Sequence, residues 1–295
     1  MIRMLATLVL FLGTTLAVAG EVVWYTAMNT QDAEPLRKRF EEKYPGTKLT
    51  VHRQPGEKIR NRILTEARAG KFFWDVVSLN LLDIAALAGE RLLTGKWDAI
   101  YVRQYVIGYN TDLVKPSEAP RDWNDLLQPR WKGKLAIDEN EIEWYASMLD
   151  YLGREKGTAF MRALAAQQPQ MRRGHTLLAK LLAAGDFPLA IVHAAEMDEA
   201  RKQGAPVDWV RTLDPVVTSP SVIAVSANAP HPKEARLFVD FVLPEEGQQL
   251  IAKQGRVPAR AAAPSGLRLY YVRPELAREM DAREREFNDI FLKVR

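Results

Sequence analysis

No cysteine occurs among the 295 residues. That excludes thiol catalysis, thiolate metal sites, disulfides and redox switching, and also a bacterial lipid anchor, which needs a cysteine at the cleavage point. A chain of this size buries enough core to do without cross-links even outside the cytoplasm. Histidine is scarce as well: only His52, His175, His193 and His231 are present. There is no Gly-x-Ser-x-Gly, no His-Glu-x-x-His and no phosphate-binding loop, which leaves a secreted metal-dependent hydrolase as the enzyme alternative with little to support it. An excess of one charge is missing too. The net charge of +4 is the small difference of 41 basic and 37 acidic residues, and they are intermixed, so nothing favours nucleic acid as a partner. No internal repeat, low-complexity tract or long flexible linker interrupts the chain.

What is present begins with Met1–Gly20. Arg3 supplies a short positive start, Leu5–Leu16 is almost wholly apolar, and Ala17-Val18-Ala19 offers small residues where a signal peptidase reads. The apolar run is too short to span a bilayer comfortably. The expectation is an export signal over residues 1–20, cleaved after Ala19 or Gly20, and a periplasmic mature chain. The remaining length suits about two domains.

After that segment, strands and helices alternate. Val22–Thr26 reads as a strand buried on both faces, Gln31–Tyr44 as a helix with Asn29 or Thr30 as its cap, Lys48–Arg53 as a second strand and Glu57–Ala69 as a second helix. Asp75–Leu79 reads as a third strand, followed by a short helix over Leu81–Gly89. Such alternation implies a parallel sheet, whose ligands sit beyond the carboxyl ends of the strands. That nominates Thr26–Thr30, Arg53–Glu57 and Asn80, each of which could equally serve only as a cap or turn. Tyr101–Asn110 (YVRQYVIGYN) is rich in β-branched and aromatic residues and reads as an extended segment leaving one lobe for another, with an ordinary buried strand as the alternative and Gly108 permitting close backbone approach or a bend. A second α/β region follows, Val216–Ser226 reads as the return crossing, and the tail Pro274–Arg295 reads as an amphipathic helix on the surface of the first lobe. The expected architecture is α/β, with two lobes, 21–105 plus 216–295 and 106–215, and a ligand cleft between them.

Several stretches, in order, carry a family likeness: Trp24-Tyr25-Thr26, Phe40–Gly46, Glu66–Phe72 leading into Trp74-Asp75-Val76-Val77, Tyr105–Thr111, Trp123–Leu127 with Pro129–Lys134, and Ala229-Pro230-His231-Pro232. The chain resembles the extracellular solute-binding family 1 proteins of ABC importers, in the branch labelled iron(III) or thiamine-like. The resemblance implies a periplasmic binding protein of the type II plan, a membrane permease as partner, no cofactor, and a monomer. Two places depart from the family. Thr94-Gly95-Lys96 replaces a longer segment that normally borders the cleft, which raises a degenerate, incomplete cleft as an alternative. His193-Ala194-Ala195-Glu196 stands where iron-binding members place adjacent tyrosines, and Tyr270-Tyr271 lies near the tail instead. The resemblance therefore does not carry over phenolate ligation of ferric ion.

A binding protein needs polar groups from both lobes that meet only on closure. The candidates are Thr26, Asn29, Arg53 and Asn80 on the first lobe, Tyr101 and Tyr105 on the crossing, and Asn140, Glu143, Trp144, His175, Thr176, His193 and Glu196 on the second. Asp138–Glu143 could attract a cation or merely complement a helix dipole. His193 and Glu196 could share a metal ion if helical, and Arg172-Arg173 could meet an anion or form a solvated loop. The ligand stays open among ferric ion, a metal chelate, a phosphonate, thiamine and a polyamine. The effector domain of a transcription regulator shares the two-lobe plan, but the export segment occupies the place of its DNA-binding helices.

Overall fold

The computed structural model describes residues 20–262 and 264–293. The export segment read from residues 1–20 lies, but for Gly20, outside the described residues. No helix among the described residues is long and apolar enough to cross a membrane.

The chain opens β1 (Gly20–Thr26), α1 (Thr30–Lys43), β2 (Thr47–Arg53), α2 (Gly56–Arg68), β3 (Val76–Asn80), α3 (Leu81–Gly89) and then the long β4 (Asp98–Asn110). β1 pairs in parallel with both β2 and β3. Its side chains serve both faces, as its unalternating apolar sequence requires. Trp24 packs against Phe238, ring centroids 5.0 Å apart, while Tyr25 faces Trp74 on the opposite side at 6.3 Å.

The second lobe comprises β5 (Leu135–Asp138), α4 (Ile142–Leu152), α5 (Arg154–Ala166), β6 (Gln170–Arg172), α6 (His175–Ala184), β7 (Leu189–His193), α7 (Ala194–Lys202) and β8 (Val207–Trp209). The chain returns along β9 (Val216–Val225) and continues through α8 (Pro232–Val242), α9 (Glu245–Lys253), β10 (Val257–Pro258) and β11 (Leu269–Tyr271). A 3-10 turn (Pro274–Glu279), α10 (Met280–Phe287) and a π turn (Asn288–Leu292) end it.

The strand order is β2-β1-β3-β9-β4-β7-β5-β6. Two parallel units flank β9 and β4, which run antiparallel to each other through the centre. β4 changes partners along its length: Asp98–Tyr105 pair with β9, whereas Tyr105–Tyr109 pair with β7. This is the crossing segment expected at Tyr101–Asn110, begun three residues earlier. Gly108 is needed there because a Cβ would lie 2.6 Å from Val192 Cγ2 and 2.9 Å from Met197 Sδ. The protein thus has two α/β lobes joined by shared strands.

The tail departs from the expectation of one amphipathic helix on the first lobe. It is broken into three short turns. The 3-10 turn packs on α3, but α10 packs on α4 and the π turn on α5, so the segment straddles both lobes. The reason lies in its apolar residues. Phe287 is fully buried and meets Tyr145 of α4 edge-on at 5.7 Å, with the Phe291 ring tilted against it at 4.8 Å. Arg283 pairs with Glu279 and Glu286.

Candidate functional site

A cavity of about 580 Å³ opens where the carboxyl ends of β1–β3 face those of β5–β7, floored by β4. Alternation along β4 turns Tyr101, Arg103 and Tyr105 to this side. Most of the expected residues converge here: Asn29, Arg53, Asn80, Tyr101, Tyr105, Asn140, Glu143, His175, Thr176, His193 and Glu196 all line the cavity.

Thr26 and Trp144 do not line it. The Thr26 hydroxyl is fully buried 2.7 Å from Ser78 Oγ and accepts from the Met28 N–H, so it shapes the loop after β1. Trp144 lies on the buried face of α4, its ring 5.3 Å from that of Trp123. It is part of the core, because α4 begins at Ile142, after a turn that presents Asp138–Glu141 to the cavity. Tyr270 and Tyr271 are also away from the cavity; Tyr270 bonds Asp150. Thr94-Gly95-Lys96 forms a tight link, with the Thr94 N–H on Val225 O, and borders no part of the cavity.

The two lobes touch across the mouth. Asn29 precedes α1 but makes no side-chain cap; its Nδ2 donates instead to Thr176 Oγ1 of the second lobe at 3.1 Å. Glu57 of α2 accepts from Asn140 Nδ2 at 3.1 Å and from Arg173 Nη2 at 2.7 Å. Arg173, open between a solvated loop and an anion site, is thus spent on a carboxylate of the opposite wall. Asn80 follows the capping alternative: its Oδ1 accepts from the Asp83 N–H at 2.8 Å.

The interior is densely charged and mostly paired. Arg103 donates to Glu143 Oε2 at 2.9 Å and to Ser219 Oγ at 3.1 Å, and the Tyr105 hydroxyl reaches the same Glu143 oxygen at 3.0 Å. Burial raises the Tyr105 phenol well above its ordinary value, so it is a neutral donor. Arg60 and Asp83 form a pair at 2.9 Å with both side chains buried. Burial raises Asp83 to about 6, although Arg60 opposes the shift. Arg256 joins Asp32 of α1 at 2.7 Å to Glu196 of α7 at 3.3 Å, a bridge from one lobe to the other.

At the back of the cavity, the rings of His175 and His193 stack with centroids 3.8 Å apart, and Tyr105 closes edge-on over His193 at 4.9 Å. His175 Nε2 lies 3.2 Å from Glu141 Oε2, and His193 Nδ1 lies 3.6 Å from Glu196 Oε2. Burial works against charge on His175, but Glu141 and the neighbouring acids outweigh it and lift the ring to about 9. Burial and the adjacent His175 push His193 down to about 3. Burial also disfavours the Glu196 carboxylate, yet its histidine neighbours and Arg256 hold it ionised, at about 2. His175 Nδ1, His193 Nε2 and Glu196 Oε2 are buried without a hydrogen-bond partner. His175, His193 and Glu196 are also the group of residues whose donor atoms lie within 4.8 Å of one another.

Sequence reasoning missed Arg60, Arg103, Arg256, and Met280 and Glu284 of the tail, all of which line the cavity. For Arg103 a signal existed: it alternates with Tyr101 and Tyr105. For Arg60 it was a cation beside Ile59 and Ile63 on the buried face of α2. Arg256 and the tail residues are brought in by tertiary contacts alone.

A cleft between two α/β lobes that share crossing strands, lined from both sides by polar groups, is the architecture of a periplasmic binding protein. Residues 65–271 match the family of bacterial extracellular solute-binding proteins, and the chain belongs to that family. It is 24% identical over 184 residues to the Fe(3+)-binding periplasmic protein of Serratia marcescens, a match covering 58% of this chain and 54% of that one. The chain spans about half the length of the curated relatives it matches. Among solved structures, iron-bound HitA from Pseudomonas aeruginosa superposes with a TM-score of 0.79 at 20% identity, covering 91% of this chain and 99% of that one. The periplasmic binding protein AfuA from Actinobacillus pleuropneumoniae, bound to fructose-6-phosphate, gives 0.82 at 20% identity, covering 92% and 98%.

Proposed function

We propose that this protein is the solute-binding component of an ABC importer, exported by its N-terminal segment with cleavage after Ala19 or Gly20, and that it acts as a monomer without catalysis. It captures a small polar or charged solute between a lobe formed by residues 21–105 with 216–295 and a lobe formed by residues 106–215, the tail bracing both. The observation that carries this reading is the cavity itself. Residues of both lobes line one chamber of about 580 Å³, a size suited to a small ligand, and hydrogen bonds that Asn29 donates and Glu57 accepts join its two walls. Family membership and the periplasmic relative support the location and the transport role.

Thermal melting of the mature protein against a panel of metal ions, chelates, phosphorylated sugars, phosphonates, thiamine and polyamines tests it. A solute present at 100 times its dissociation constant stabilises the folded state by about 2.7 kcal/mol, and a distinct rise in melting temperature is the expected outcome for at least one class. A flat response across the panel would count against capture of a small solute.

A further inference from the structure

The cleft's back wall has a donor set that its hydrogen bonding does not use. His175 enters from the first turn of α6, His193 from the end of β7, and Glu196 from the first turn of α7. The three line the same cavity and bring donor atoms within 4.8 Å of one another. His193 is 95% buried, since only 5% of its surface is exposed, and its Nε2 has no partner. Leaving such atoms unpaired in the interior is costly, and a ligand atom removes the cost.

The surroundings are those of a supported metal site. Glu141 Oε2 stands 3.2 Å from His175 Nε2 without the alignment of a hydrogen bond, and His175 Nδ1 has no partner either. A carboxylate beside one ring nitrogen is placed where it could orient a ligating histidine once an ion sits on the other. Arg256, itself held by Asp32, takes Glu196 Oε1 at 3.3 Å, leaving Oε2 free on the histidine side.

We infer that His175, His193 and Glu196 hold a divalent first-row transition ion, with its remaining coordination positions turned to the cavity. This rests on the solute-binding reading above and names the solute. Two imidazoles and one carboxylate suit zinc, copper, nickel or cobalt; hard, oxygen-seeking cations such as magnesium and calcium prefer carboxylates and carbonyls. No phenolate belongs to the set, because the buried hydroxyl of Tyr105 is spent on Glu143. The ion therefore competes as a nitrogen-seeking divalent one, not as ferric ion. Because Arg256 and Asp32 come from the other lobe, the carboxylate is fixed in place only when the lobes are together.

Cobalt(II), zinc(II), nickel(II), iron(III) and magnesium(II) salts are added singly to metal-stripped mature protein. Cobalt is read by its visible absorption bands and all ions by melting temperature, in parallel with H175Q, H193Q, E196Q and R256Q. Cobalt bands that zinc displaces are expected, together with stabilisation by the nitrogen-seeking ions exceeding that by iron(III) or magnesium. Loss of a direct ligand is expected to lower affinity by more than about 100-fold, and R256Q, acting through Glu196, by about 10–100-fold. Melting in EDTA shows whether each variant still folds, and R39A, on the solvent face of α1 and away from the cavity, serves as a surface control that keeps the cobalt bands. If no divalent ion binds the wild type, or if H193Q and H175Q bind as it does, the assignment is overturned. In that event an organic or phosphorylated solute that still stabilises wild type and variants alike would leave the clamp reading standing, whereas silence from every solute would remove both.

Discussion

Gly108 shows how little freedom a single position has where two lobes meet. A methyl group there would collide with Val192 and Met197, so Gly108→Ala is expected to destabilise the protein by about 1–3 kcal/mol, the usual cost of overpacking, measured as a lower midpoint in urea with an unchanged slope. Asp83 carries a pH signature. Because the folded state raises its carboxyl to about 6, the folded chain holds a proton that the unfolded chain releases near pH 4. Its contribution to stability is therefore complete below pH 4 and is lost as the pH rises to 6. Asp83→Asn should remove that part of the pH dependence. Because the fold already favours the uncharged side chain, the deficit of the amide relative to the wild type should be smaller at pH 7 than at pH 4. Urea titrations of both proteins at pH 4, 5, 6 and 7 check both outcomes. Residue chemistry of this kind is only partly legible in a linear chain. The choice of glycine at 108 was readable as close approach. The pairing of Arg60 with Asp83, 23 positions apart, follows from how α2 lies on α3 and leaves no periodic trace.

At the scale of elements, the alternation of strands and helices was plain because each strand is short, apolar and bounded by a turn residue or a cap. The floor strand β4 was recognisable from YVRQYVIGYN. The tail was misplaced for a specific reason. Leu276, Met280, Phe287, Ile290 and Val294 share one face of an ideal helix, but the chain breaks into 3-10, α and π turns. Each turn aims its apolar residues at a different partner. Phe287 is the anchor of the middle section. Phe287→Ala is expected to cost about 3–5 kcal/mol, again in denaturant. Truncation before Met280 should leave α4 and α5 uncovered and widen the ligand-free molecule, visible as a larger radius of gyration in small-angle scattering.

At the scale of the whole molecule, the two lobes and the cleft were inferable from element order together with the family likeness, and eleven of thirteen candidate residues line the cavity. Thr26 and Trp144, the two that do not, sit beside lining positions but face inward, a distinction of one residue along a strand end or helix that spacing alone does not resolve. Glu57 is the principal polar tie at the mouth, meeting both Asn140 and Arg173. Glu57→Ala should favour the open arrangement by about 1 kcal/mol, in line with exposed ion pairs, and weaken ligand affinity roughly fivefold. Isothermal titration with whichever solute stabilises the wild type reads this directly, and a high-salt series should show the wild type approaching the variant.

The bridge of Asp32, Arg256 and Glu196 has a consequence for traffic at the membrane. Its guanidinium is anchored in one jaw and steadies a carboxylate of the other. On the proposed role, a grip on cargo and a shut profile would be two readings of the same contact: a permease docking against both jaws would not need to inspect the cargo, and prising the jaws apart would withdraw Arg256 from Glu196 and slacken the hold at delivery.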